Sequence, residues 1–362
     1  MSKKGKILVA MSGGIDSSIA AMMLHEEGYE VIGMTMKTWE YASAGGNKKE
    51  TGCCSLDSIN DARNMAVKFG FPHYIIDIRQ EFGDHIIDNF VGEYMAGRTP
   101  NPCVLCNTHI KWEALLKRAD QLDCEFIATG HYAQVREENS RYVVSKGLDD
   151  SKDQSYVLWG VSQENLARTK YPLGGYLKKD IKKIAIDAGF EELAKKSESY
   201  EICFIPDNDY RGFLKRRVNG LEEQVAEGKF VTTKGEQIGT HKGYPFYTIG
   251  QRKGLEIAVG SPLYVTEIIP DTNTVVLGGK KDLEKQDMTV KGLNLIKYAS
   301  LEGELEAVTK IRYKDIGTHS TINQVAVDEI QVTFHKKVKA IAPGQSAVFY
   351  EDDDLIGGGI IQ

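Results

Sequence analysis

The sequence predicts an α/β protein: a doubly wound parallel sheet that binds a nucleotide, then a small central domain and a C-terminal antiparallel β-barrel. Three observations predict it. Short apolar runs alternate with amphipathic ones over the first half, and a Ser- and Gly-rich turn joins the first apolar run to the first amphipathic one. The second half breaks into short alternating runs punctuated by Gly, Asn and Asp.

The apolar runs KILVAM (6–11), EVIGMTM (30–36), PHYIIDI (72–78) and CEFIATG (124–130) read as strands, each bounded by Gly, Pro or charge. Between them SSIAAMMLHEEG (17–28), SLDSINDARNMAVKFG (55–70) and HIKWEALLKRADQLD (109–123) carry helical patterns, the first two stopped by Gly28 and Gly70. Strand–helix alternation at this spacing implies a parallel sheet with helices on both faces, whose ligands bind at the carboxyl ends of the strands. A helical, basic piece, DYRGFLKRRVNG, covers 209–220. From about 239 onward YTIG, LYVTEIIP, TVVLGG, MTVKGLNLI, EAVTKIRY and IQVTFHKKVKA read as strands of a barrel or sandwich. The expected domains are 1–204, 205–279 and 280–362.

Bulk properties narrow the class. Hydrophobic residues make up 41% of the 362 and charged residues 27%, an ordinary globular balance. A net charge of −6 argues against a general nucleic-acid coat, though not against a local basic groove. No apolar run approaches the roughly 20 residues of a membrane helix, and the apolar run before Ser12 is too short for a signal peptide. A cytoplasmic enzyme with no membrane partner is expected. Six cysteines stand at 53, 54, 103, 106, 124 and 203. In a cytosolic chain they read as buried, catalytic or metal-bound rather than as structural disulfides, and Cys124, inside an apolar run, reads as core.

The turn Ala10-Met11-Ser12-Gly13-Gly14-Ile15-Asp16-Ser17-Ser18 leaves the first strand and opens the first helix. Two glycines let the backbone approach an anion, and the helix amides behind them point at it. The loop lacks the Lys of GxxxxGK[ST], so it suits a pyrophosphate leaving group better than a transferred γ-phosphoryl. ATP is the expected cofactor, with Asp16 placed to hold Mg²⁺ against its phosphates. SGGIDSS resembles the loop of the ATP-pyrophosphatase group, whose members adenylate an oxygen and let a nucleophile displace AMP.

Further segments choose within that group: TPNPCVLCN (99–107), ATGHYA (128–133), KDQSY (152–156), ICF (202–204), YTIGQRKGL (247–255) and the terminal GQSAVFYEDDDLIGGGII. In order and over essentially the whole chain they resemble the tRNA-specific 2-thiouridylase family. The resemblance implies replacement of O2 of the wobble uridine (position 34 of tRNA) by sulfur, after adenylation by ATP and with sulfur from a donor protein or sulfide source. It implies that Ala10, Met11, Ser12, Gly13, Gly14, Ile15, Asp16 and Ser17 hold the phosphates, with Met36 and Gly130 flanking the adenosine. It makes Cys106 the nucleophile and Cys203 the persulfide carrier. Asn101, Pro102 and Cys103 would face the target base, while His131, Lys152, Asp153, Gln154, Arg312, Tyr313 and Gln345 would contact tRNA.

Taken alone, several of these residues have plainer explanations: His131 a strand-end histidine, KDQSY a polar turn, GQRKG a solvated turn, KRR at 215–217 a solvated helix face. Asn101-Pro102 favours an extended loop. Cys53 and Cys54, adjacent, read as structural or incidental. The chain departs from the family where the commoner motif reads Asn-Pro-Asp-x-x-Cys, because position 103 is Cys. Three readings of Cys103, Cys106 and Cys203 then stand side by side: a persulfide relay with Cys103 a spectator, a [4Fe-4S] cluster holding a sulfide on an open iron, or a zinc site completed by Cys53 or Cys54. The rival function is an ATP-dependent amidoligase acting on a small metabolite.

Overall fold

The computed structural model describes residues 4–39, 55–196, 202–257 and 260–362. Its first unit comprises 1–85, 103–208 and 353–355. KILVA forms β1 (Lys6–Ala10), in which Ile7, Leu8 and Val9 are fully buried. Burial on both faces is what a central parallel strand requires, and each such side chain contributes about 1.5–3 kcal/mol. β1 pairs in parallel with β2 (Glu30–Lys37) on one side and β4 (Phe126–Ala128) on the other. β3 (His73–Asp77) and β7 (Thr169–Lys170) complete a sheet of order β3-β2-β1-β4-β7. The order reverses between β1 and β4, so the crevice that binds ligands in such sheets opens where the loops 11–14 and 129–132 emerge.

Helix α1 (Ile15–Glu26) follows β1 directly, and α2 (Leu56–Phe69) follows β2. Ser55 caps α2 by accepting the Ser58 N–H at 3.1 Å, and Gly70 ends it in the left-handed region at φ +75°. Ile7 and Val9 share one core with Ile19, Ala62, Met65 and Ile181, so α1, α2 and the helix Lys178–Asp187 are joined through one buried layer. The helix Trp112–Gln121 packs on β1 and β4. A hairpin absent from the sequence expectation, β5 (Ala133–Glu138) and β6 (Arg141–Lys146), turns through Asn139 and Ser140, both at positive φ.

The second unit comprises 86–102, 209–352 and 356–362. Its central sheet has the order β10-β11-β8-β9, from β8 (Gly228–Thr232), β9 (Gln237–His241), β10 (Tyr264–Ile269) and β11 (Thr274–Gly278). YTIG is not a strand: Tyr244–Phe246 is a 3-10 turn and the chain continues irregularly through Gly250, whose φ is +85°. β12 (Glu284–Leu295), β15 (Glu329–Lys339), β14 (Thr318–Ala326), β13 (Glu304–Lys310), β16 (Ser346–Glu351) and β17 (Asp354–Ile361) neighbour one another in that order, and β12–β17 pairing closes the barrel. A Cβ on Gly357 would overlap the Asn294 carbonyl oxygen, so its absence lets the closing strands approach. Among the described residues no helix is long and apolar enough to cross a membrane.

Candidate active site

β1 delivers the turn 11–14 to the carboxyl edge of the sheet. Gly14, the residue before α1, provides no side-chain cap, which leaves the first N–H groups of a twelve-residue helix for another acceptor. Gly13 sits at φ +71°, and a Cβ there would overlap the Ser58 carbonyl oxygen. The turn braces itself: Ser12 N–H donates to Ser17 Oγ (3.0 Å) and Ser17 Oγ donates to the Gly14 carbonyl (3.2 Å). Ser18 Oγ is buried and makes no hydrogen bond. At the end of β4, a Cβ on Gly130 would stand 2.7 Å from Ser17 N and 2.8 Å from Asp16 C. The Gly130 backbone therefore lies directly on the first turn of α1. Met36, at the end of β2, is half-buried, and Thr35 beside it donates to the Met11 carbonyl at 2.7 Å.

Asp16 is the most heavily engaged residue of the loop. Lys178 Nζ lies 2.7 Å from both of its carboxylate oxygens, and Tyr132 Oη donates to Oδ1 at 2.7 Å. Both partners are buried. Neither was singled out from the sequence, because Lys178 opens an ordinary amphipathic helix (KKDIKK) and Tyr132 is one letter of ATGHYA. A lysine 162 positions along the chain from Asp16 thus pairs with the carboxylate of a loop that has no lysine of its own. Both Asp16 oxygens carry the Lys178 ammonium and one the Tyr132 hydroxyl, so a magnesium ion held by this carboxylate would share or displace those partners, with ATP oxygens and water supplying the remaining ligands.

Cys106 is buried and heads a π-helical turn, Cys106–Lys111, a device that recurs at functional sites. Asn107 donates to the Val157 carbonyl (2.9 Å) and accepts from Lys111 Nζ (2.8 Å), which fixes that turn. Cys103 and Cys203 are exposed. Although Cys103 reaches the surface, surrounding protein still withholds water from a thiolate and raises its pKa, with the Lys111 charge acting the other way. Among the described residues no three His, Cys, Asp or Glu side chains are grouped to hold a metal ion. The cysteines of a [4Fe-4S] cluster each bind a different iron and stand farther apart than the ligands of one ion, so this bears on a single-metal site and not on a cluster. Cys53 and Cys54, on which the zinc reading depends, lie outside the described residues. Cys124 is buried, its thiol pushed up to about 11 by desolvation.

The remaining site residues fall into two spatial sets. In the first unit, His131 Nδ1 lies 2.8 Å from Thr129 Oγ1, and the ring packs near Trp112 and Tyr171. Desolvation, with Lys111 adding to it, brings its pKa down to about 3, so it is neutral at physiological pH. Asp153 turns inward to accept from Ser155 N–H (3.0 Å) and Ser155 Oγ (3.0 Å). Gln154 Oε1 accepts from Tyr132 N–H (3.0 Å), and Lys152 is half-buried beside them. In the second unit, Pro102 begins a short helical turn and Asn101 precedes it in non-helical backbone. Gln345 Nε2 donates to the Thr99 (3.1 Å) and Pro100 (2.9 Å) carbonyls, so it positions the approach to Asn101. Arg312 and Tyr313 stand exposed in the turn after β13, which Asp315 braces by accepting the Ile311 N–H at 3.1 Å.

Three family models match successive stretches of the chain. Residues 5–207 match a family model described as a tRNA methyl transferase HUP domain, 211–279 a tRNA methyl transferase PRC-barrel domain, and 285–361 an aminomethyltransferase beta-barrel domain. The tRNA-specific 2-thiouridylase MnmA of Cytophaga hutchinsonii is 66% identical, over 100% of this chain and 98% of that one. The protein of the same name from Salinibacter ruber is 57% identical, over 100% and 95%. Among solved structures, a 4-thiouridine synthetase–RNA complex with bound ATP aligns over 60% of this chain and 51% of that one at 18% identity and a TM-score of 0.36, too partial a likeness to bear on the assignment. Identity at this level along the full length places the chain in the tRNA-specific 2-thiouridylase family.

Proposed function

We propose that this protein is an ATP-dependent tRNA 2-thiouridylase acting on the wobble uridine. The observation that carries the reading is the uncapped, glycine-built N-terminus of α1 with Asp16 at its first turn. Such a turn binds phosphates by backbone N–H groups and lets pyrophosphate leave. In the first step uridine O2 attacks the α-phosphorus of ATP, forming an O–P bond while the α–β bridge breaks. Asp16 is the residue to hold magnesium, which when bound would shield the phosphate charge.

In the second step the terminal sulfur of a Cys203 persulfide, loaded by an external donor, attacks C2. The C2–O bond breaks and AMP leaves with the former O2. The Cys106 thiolate then attacks Cys203 Sγ, the S–S bond to the substrate breaks, and 2-thiouridine is released. The resulting Cys106–Cys203 disulfide takes two electrons from an external thiol before the next turnover. The relay needs only two thiols, an external persulfide donor and a thiol reductant, and no step is routed through a cluster.

The test supplies unmodified tRNA, ATP, magnesium and a persulfide-loaded donor, and reads 2-thiouridine in digested tRNA by mass spectrometry. Thiolation is expected with the native chain, lost in Asp16→Ala with tRNA binding nearly intact, lost in Cys106→Ser, and retained in Cys103→Ser. Thiolation surviving Asp16→Ala would sink the phosphate-loop assignment. Pyrophosphate release driven by a small acid and indifferent to tRNA would point to an amidoligase instead. About four irons and four sulfides per chain after anaerobic purification, lost in Cys103→Ser, would overturn the relay.

A further inference from the structure

Asp16 and the KDQS segment are far apart in sequence but joined by two chains of hydrogen bonds within the first unit. The first runs through Tyr132, whose hydroxyl donates to Asp16 Oδ1 at 2.7 Å. Its backbone is clamped at the other end, the N–H donating to Gln154 Oε1 (3.0 Å) and the carbonyl accepting from Gln154 N–H (2.9 Å). The second runs through Lys178, whose Nζ holds both Asp16 oxygens while its N–H donates to Asp149 Oδ2 at 2.9 Å. Asp149 in turn accepts from Ser151 N–H (3.1 Å) and Oγ (2.6 Å), and its carbonyl accepts from Lys152 N–H (2.9 Å).

The bridging side chains are deeply buried, Tyr132 2% and Lys178 7% exposed, so water cannot readily substitute for a lost partner. A Cβ on Gly147 would approach the Tyr132 carbonyl to 2.9 Å, which leaves that backbone little room to relax independently of the segment. An RNA group that recruits the Gln154 amide pulls on the acceptor that holds Tyr132, and the movement ends at the carboxylate facing the phosphates.

We propose that Tyr132, with Lys178 as a second arm, is a positioning residue that couples seating of tRNA on the 149–154 segment to the placement of Asp16 for ATP. The coupling rests on the tRNA-thiolase reading, because it needs RNA on that segment. Because uridine O2 is itself the nucleophile, tRNA stimulates pyrophosphate release in any case; the consequence of the coupling is that the stimulation exceeds what nucleophile supply alone gives and depends on Tyr132 and Asp149.

The experiment measures pyrophosphate release from ATP with and without unmodified tRNA, together with tRNA affinity and thermal unfolding, in the full chain. Tyr132→Phe keeps the ring and removes only the hydroxyl. The expected result is a roughly tenfold fall in the tRNA stimulation ratio, the scale of one hydrogen bond to a charged group, at unchanged tRNA affinity. Asp149→Asn, which weakens the other arm, is expected to lower the same ratio and gives an independent reading if Tyr132→Phe folds poorly. A native stimulation ratio in both variants overturns the coupling, as does a fall matched by an equal loss of tRNA affinity. Native 2-thiouridine formation with a native stimulation ratio in both variants overturns the coupling and leaves the thiolase reading intact, whereas pyrophosphate release that ignores tRNA overturns the coupling together with the direct attack of uridine O2 on ATP. Failure of the native chain to form 2-thiouridine removes both.

Discussion

His131 illustrates how burial changes what a residue can do. An exposed histidine at a strand end would be partly charged near neutrality and could bind phosphate; this one is neutral, its pKa brought down to about 3 by desolvation and the Lys111 charge. It can meet RNA only as a ring or through a neutral hydrogen bond. Below the ordinary value of 6.5 the unfolded chain binds a proton here that the native chain refuses, so stability declines as pH falls from 6.5 towards about 3. The slope from one such group is about 1.4 kcal/mol per pH unit. His241, brought down to about 4 by its own burial, adds a similar share over most of that range. His131→Gln should therefore flatten the dependence of unfolding free energy on pH between about 6 and 4 and leave the His241 share in place. Denaturant titrations of both proteins at matched pH measure it, and parallel slopes would show that His131 is charged in the native state.

At the scale of elements, the strand-to-helix turn was legible because its chemistry is local: Ser, two Gly, Ile and Asp in order, after an apolar strand, specify the backbone that the structure has there. Cys106 was singled out by motif, but the π-helical turn it heads was not, since Asn107 in that turn bonds Val157, fifty positions away, as well as Lys111. The β5–β6 hairpin escaped because its turn is Asn-Ser rather than Asn-Gly, and its two strands carry mixed polar and apolar residues. YTIG has strand-forming residues, yet Tyr244 and Tyr247 are buried by tertiary packing in an irregular segment, and packing overrides propensity. Gly130 tests the contact between the two loops of the site. A methyl there meets backbone, not a flexible side chain, so Gly130→Ala should displace the first turn of α1 and weaken ATP binding at least tenfold. The overpacking should cost about 1–3 kcal/mol of stability. Isothermal titration with ATP beside a thermal melt separates the two effects, and unchanged ATP affinity would mean the loop after β4 is not part of the nucleotide site.

For the whole molecule, spatial grouping does not follow the chain. Residues 86–102 group with the second unit because Tyr244 Oη donates to the Met95 carbonyl (2.6 Å) and Thr99 N–H to the Pro343 carbonyl (2.8 Å). Partners 149 and 244 positions apart leave no local trace in the sequence, which is why that grouping, like the Lys178–Asp16 pair, became visible only in the fold. Charge has the same character. The chain as a whole carries −6, so a polyanion must be held by a minority of exposed cations. The conspicuous KRR run is already partly neutralised within its own unit, Lys215 by Glu222 at 2.6 Å and Arg217 by Asp88 at 3.6 Å. Arg312, exposed in the turn after β13, is the candidate we propose for a phosphate contact. If both assignments hold, tRNA affinity falls with salt despite the acidic net charge, because each phosphate contact releases counterions. Arg312→Ala should then reduce the slope of log K against log salt by about 0.7–0.9, while Arg217→Ala, which also frees Asp88, should change it by clearly less. Equal changes in the two variants would place the KRR helix on the RNA beside the barrel.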